Sequence, residues 1–268
     1  MNNAQICEDG YIILDFNNAE CINQIQDEVK SMFGMNPVEF HAQKIIDNER
    51  LHFVKEAKDL IVKKSLVKNL LQANTDVFET LLGPDIDVQS DIYLRVSRPN
   101  QESDFIDWHR DTFYGNSHWE LNLWFPVFPL EEGAGLVIAD GSHLLPASNI
   151  RPLEEQNPFR KQVVKGSIAN ELGYLYAPKC DDTMLEIDPS KIKLLAPKVG
   201  QFVLFFAHCL HRAQNLSSKT RISIDVRIKH MLAPTNTKPG YYQSLTRSSI
   251  ARYVEKIQFM EQGVSCGN

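Results

Sequence analysis

Residues 198–228 read KVGQFVLFFAHCLHRAQNLSSKTRISIDVRI, and their patterning points to a β-rich fold. Gly200 precedes an apolar run, 201–206, of the length of one buried strand. From Arg221 the chain alternates strictly. Ile222, Ile224, Val226 and Ile228 fall on one face, and Arg221, Ser223, Asp225 and Arg227 on the other. Such alternation is the mark of a strand with one apolar face. The short connection between the two segments holds His208 and His211.

The rest of the chain fits the same class. Short segments rich in Ile, Val, Phe and Trp at 91–97, 120–127, 135–139 and 192–196 are separated by Gly, Pro and Asn clusters. Strands without alternating helices predict a sandwich or barrel, not a parallel α/β sheet. Residues 8–16 read as a turn entering a short strand. Ile22, Ile25, Val29 and Phe33 recur at helical spacing over 18–34, and residues 55–82 and 248–262 are also helix-like. The segment 231–240 reads as loop. The long mixed segment at about 144–190 reads as an insertion or lid. No Pro/Gly linker marks a second domain, so 1–268 is expected to form one.

Composition narrows the function. Of 268 residues, 43% are apolar and 23% charged, which excludes a disordered or fibrous chain. Lys and Arg total 28 against 34 Asp and Glu, a formal charge of −6. A nucleic-acid partner is therefore not expected. No apolar run approaches a spanning helix, so no membrane partner is expected. The N-terminus lacks a secretory pattern, and a cytoplasmic location is expected. The five cysteines are odd in number and lack CxxC spacing, which predicts free thiols and no thiolate zinc site.

His109 and Asp111 lie two residues apart in Asp107-Trp108-His109-Arg110-Asp111. On an extended chain such side chains share a face, with Arg110 pointing the other way. A third ligand must come from elsewhere, and His208 and His211 are the candidates. Two histidines and one carboxylate form the facial triad of non-heme Fe(II) oxygenases. An arginine beside such a site matches a carboxylate in a bidentate fork. In 120–126, Glu120, Asn122 and Trp124 alternate with Leu121, Leu123 and Phe125. The apolar set is expected to pack on helices.

These residues resemble the phytanoyl-CoA dioxygenase family of Fe(II)/2-oxoglutarate oxygenases. The resemblance runs in order through Glu8-Asp9-Gly10-Tyr11, Tyr93-Leu94-Arg95-Val96-Ser97-Arg98-Pro99-Asn100, Trp108-His109-Arg110-Asp111, Gly133 to His143, and Gly200 to Arg227. It departs at Ala139-Asp140, where the family's turn usually has Pro. It implies a double-stranded β-helix, a jelly-roll or cupin-like core with N-terminal helices packed on one face. It also implies Fe(II) held by His109, Asp111 and His211, with 2-oxoglutarate and O2 as cosubstrates. Arg221, ten residues after His211, would hold the distal carboxylate of 2-oxoglutarate, with Arg227 the runner-up. Asn122 and Trp124 would line the cosubstrate cavity. Arg95, Arg98, Thr112, Tyr114 and His118 are candidates for contact with substrate or with the ligands. The activity implied is hydroxylation of a polar small molecule, with succinate and CO2 as coproducts. The presence of Asp111 argues against the halogenases, which lack that carboxylate. The rival readings are a metal-dependent hydrolase, a non-catalytic binding module on the same barrel, and a nucleic-acid demethylase with the same iron logic, which the acidic balance disfavours.

Overall fold

The computed structural model describes residues 3–34, 36–43, 45–113, 117–145, 160–162, 176–178, 187–235 and 237–261. Most of the segment expected to form an insertion lies outside these residues. Apart from its two ends, only the short pair β7 (Arg160–Gln162) and β8 (Tyr176–Pro178) is described there.

Two antiparallel sheets face each other. The larger has the order β1 (Tyr11–Asp15), β10 (Gln201–Phe206), β5 (Leu121–Pro126), β12 (Arg221–His230), β2 (Ile86–Gln89), β13 (Tyr242–Thr246), with β3 (Tyr93–Ser97) also on β12. The smaller runs β4 (Ile106–His109), β11 (His211–Ala213), β6 (Leu136–Ala139), β9 (Ile192–Leu195). The arrangement is the expected jelly roll.

The large sheet is buried on both faces, but only the outer one is apolar throughout; the inner one mixes apolar residues with Asn122, Arg221, Ser223 and Arg227. Its outer face carries Ile222, Ile224, Val226 and Ile228 with Leu121, Leu123 and Phe125, all in one buried cluster with the N-terminal helices. Each such side chain contributes roughly 1.5–3 kcal/mol on burial. Its inner face places Trp124, Val203 and Phe205 against Leu136, Ile138 and Leu195 of the small sheet. The alternation at β5 and β12 thus decides which residues meet helices and which line the interior.

Helix α2 (Glu20–Phe33) buries the predicted Ile22, Ile25, Val29 and Phe33. It stops at Gly34, whose left-handed φ of 63° lets its N–H reach the Lys30 carbonyl. The helical stretch expected at 55–82 is three helices: α3 (Asp47–Lys63), α4 (Leu66–Gln72) and α5 (Thr75–Leu82). Ser65, at φ 55°, breaks the first from the second. Helix α1 (Asn3–Asp9) precedes them, and α6 (Ser249–Glu261) closes the described chain. Among the described residues no helix is long and apolar enough to cross a membrane.

Gly10 joins α1 to β1 with φ +89°. A Cβ there would lie 2.5 Å from His143 Nδ1 and 2.6 Å from Cys209 Sγ. The close approach lets the Gly10 carbonyl accept from the Phe206 N–H at 3.0 Å and from the Cys209 thiol at 3.2 Å. This ties the start of the chain to the connection carrying the later histidines.

Candidate metal centre

Register brings the two histidines together. His109 ends β4 and His211 begins β11, and they are direct cross-strand partners. Their rings lie 4.2 Å apart between centroids. Asp111 is not on the same extended strand, which corrects the expectation from i,i+2 spacing. It opens a 3-10 turn, 111–113, anchored by its N–H on the Ala207 carbonyl at 3.0 Å. That turn swings the carboxylate back over both rings, with Oδ1 3.5 Å from His109 Nε2 and 3.8 Å from His211 Nε2. One ligand atom from each residue lies within 4.8 Å of the others, and all three residues are buried.

The surroundings fix these ligands. His109 Nδ1 bonds the Asp107 carbonyl at 2.7 Å and His211 Nδ1 the Cys209 carbonyl at 3.0 Å. Each imidazole is thereby a donor at Nδ1 and keeps the Nε2 lone pair for the centre. Burial, then the neighbouring His109, pushes the His211 pKa down to about 3, so its imidazole is neutral, the form that binds metal. Burial opposes ionisation of Asp111, yet the Arg227 charge, and then the two imidazoles beside it, hold it well below the usual carboxylate range. Two imidazoles and one carboxylate, with ligand atoms within 4.8 Å of one another, fit a divalent metal that keeps further positions open.

The other predicted residues separate into groups. Arg221, Trp124 and Arg95 line the cavity of the three ligands, with Ile106, Leu136 and Phe205 as apolar walls. Asn122 and Arg227 act on Asp111: Asn122 Nδ2 donates to Oδ2 at 2.6 Å and an Arg227 Nη donates to the same oxygen at 2.7 Å. The structure therefore ties Asn122 to the carboxylate ligand, where cavity lining was expected. Arg98 is not among the residues lining this cavity. Its guanidinium donates to both oxygens of Asp104, at 3.0 and 2.9 Å. Thr112 bonds His208 Nδ1 at 2.9 Å, and the exposed His118 ring packs 4.5 Å from that of His208. His208 is thus engaged beside the centre, and His211 is the histidine that joins it. Arg110, fully buried, donates to the carbonyls of Ser142 and His208 and clamps that connection; it is not among the residues lining this cavity. Tyr114 lies outside the described residues.

Arg221 is 4% exposed, and its guanidinium lies over the Trp124 ring at 5.9 Å. It donates to the carbonyls of Gly135 and Gln214 and to Ser97 Oγ at 3.1 Å, while Nε has no partner among the described residues. Among the described residues no carboxylate bonds it. Burial lowers its pKa to about 10, so it stays cationic at neutral pH. Leaving a buried charge without a counter-ion costs several kcal/mol. Sequence reasoning missed Ser97, Leu136, Phe205 and Asp225, which also border or support the cavity. For Asp225 the signal was present: it shares the inward face of β12 with Arg221.

No protein-family model matches the chain, and no curated protein is significantly similar in sequence. Solved structures share its fold. The non-heme monooxygenase ThoJ, as its nickel complex, aligns over 92% of this chain and 84% of its own at TM-score 0.57 and 12% identity. The non-heme alpha-ketoglutarate-dependent epimerase SnoN from nogalamycin biosynthesis covers 91% of this chain and 96% of its own, at 0.51 and 13%. EctD from S. alaskensis with bound Fe covers 88% and 78%, at 0.52 and 14%.

Proposed function

We propose that the chain is an Fe(II)- and 2-oxoglutarate-dependent dioxygenase that hydroxylates a polar small molecule. The observation that carries this reading is the pairing of two incomplete features in one cavity. Three buried ligands converge, and beside them stands a buried guanidinium that no carboxylate among the described residues bonds. A dicarboxylate with a chelating end answers both needs. The structures of similar fold include enzymes named for Fe and alpha-ketoglutarate, which agrees with the reading.

In this account His109, Asp111 and His211 would hold the iron. Iron, when bound, supplies the activation of dioxygen coupled to decarboxylation of 2-oxoglutarate to succinate. Arg221 takes the distal carboxylate, and its Nε and Nη groups provide the fork. Trp124, Leu136 and Phe205 keep water from that face. Asn122 and Arg227 hold Oδ2 of Asp111 and leave Oδ1 for the metal. Asp111 fills the place a halide would need, which favours hydroxylation over halogenation.

The test is succinate formation from 2-oxoglutarate. We expect it to require Fe(II) and O2 together and to vanish in His109→Ala and Asp111→Ala. Turnover unchanged in both variants would remove the assignment, and metal-dependent activity that ignores 2-oxoglutarate would favour a hydrolase.

A further inference from the structure

Asp225 lines the same cavity as the three ligands and Arg221 and, among the described residues, hydrogen-bonds none of them. Asp111 is served by Arg227 and Asn122. The Asp225 side chain is 16% exposed, and its Oδ1 is buried with no hydrogen-bond partner among the described residues. Its Oδ2 faces an Arg95 Nη at 3.6 Å, outside hydrogen-bonding distance. Burial raises its pKa against the pull of Arg227 and Arg95, the mark of a carboxylate with incomplete compensation.

Arg95 is the group most able to move. Its side chain is 37% exposed and rests over the Tyr93 ring at 5.0 Å. It borders the metal cavity and also two outer grooves, one along Leu51 and Val54 of α3 and one reaching Gly240 and Tyr241. It therefore stands where the cavity opens, with Asp225 behind it. A carboxylate with a free lone pair at the inner side of that opening is poised for a cation from outside.

We propose that Asp225 is a substrate-recognition group and that the substrate carries a protonated amine, which replaces Arg95 as its partner. The proposal rests on the reading of this cavity as the substrate site. It narrows the substrate to amines and amino-acid-like molecules. Arg95, once displaced, faces the opening and can pair with an anionic group on the same molecule.

The test is isothermal titration of the full-length protein, with and without Fe(II) under anaerobic conditions, using matched probes: cadaverine against 1,5-pentanediol, and 5-aminopentanoate against 5-hydroxypentanoate. The expected result is an ammonium preference on the order of tenfold or more, as a charge-assisted hydrogen bond provides. Asp225→Asn, of equal size, is expected to abolish the preference, and Arg95→Gln, which removes the rival cation, to increase it. No preference in the wild type, or a preference that survives Asp225→Asn, would overturn the proposal. Should Asp225→Asn fail to fold, unchanged amine binding in Arg95→Gln would do so. The titration reads neither succinate nor 2-oxoglutarate. An amine preference without succinate formation would therefore overturn the cofactor reading alone.

Discussion

The Arg227 guanidinium donates to Oδ2 of Asp111 at 2.7 Å, so the carboxylate that faces two imidazoles through one oxygen is neutralised through the other. Asn122 adds a second donor to that oxygen at 2.6 Å. Both donors come from inward positions of adjacent strands, and Arg227 is paired in register with Asn122. The sheet thereby sets the orientation of a residue that sits on a turn outside it.

Arg227→Met and Asn122→Ala are expected to weaken metal binding without removing any ligand. Partners of metal ligands typically account for about 10–100-fold in affinity. Competition against a chromogenic chelator measures this directly. Wild-type affinity in both variants would show that Asp111 does not need them.

The two candidate histidines are expected to behave oppositely. His211→Ala should abolish stoichiometric Fe(II) binding, because it removes one of three converging ligands. His208→Ala should retain it, since His208 is engaged by Thr112. Metal content after gel filtration distinguishes them, and loss in His208→Ala alone would reverse the assignment.

Asp104 predicts an acid-sensitive contribution to stability. Its side chain is 1% exposed, and burial opposes its charge. Hydrogen bonds from Arg98 and the charge of Arg50 at 3.3 Å outweigh burial and lower its pKa below 3.8. The unfolded chain then holds the proton more tightly. The stabilisation is complete above the ordinary carboxylate value and is lost as pH falls through the folded one. Asp104→Asn should cost roughly 3 kcal/mol at neutral pH. Denaturant titrations should show the gap to wild type closing below about pH 4. A gap independent of pH would contradict this.

Gly10→Ala is expected to destabilise the fold by roughly 2 kcal/mol or more, from overpacking and a positive φ together. The added Cβ meets the His143 ring and the Cys209 sulfur. Thermal unfolding measures the effect, and an unchanged Tm would mean that this joint relaxes freely.

Long strands were legible in the sequence because burial on one face writes a two-residue period, as at Ile222 to Ile228 and Leu121 to Phe125. Two short strands, β6 and β9 of four residues each, were legible as apolar-rich segments at 135–139 and 192–196. β2 (IDVQ), β4 (IDWH) and β11 (HRA) were not, because they are too short for a period and hold no continuous apolar run. Yet β4 and β11 are the strands that set His109 beside His211. The ligand set came from motif order, while the means of convergence did not, since a turn and not a strand carries Asp111. Arg98 looked like a site residue by proximity in sequence. Its partner Asp104 lies on a short 3-10 turn that no periodicity announces. Glu120 to Phe125 gave the facing of Asn122 correctly but not its partner, because pairing across strands is set by register.

The most direct test of the central claim is an anaerobic titration of Fe(II) into the protein with and without 2-oxoglutarate, followed by visible absorption. The account predicts a metal-to-ligand charge-transfer band that needs both components and is absent in His211→Ala and Arg221→Ala. A folded, iron-loaded wild-type protein that shows no band with 2-oxoglutarate would contradict it.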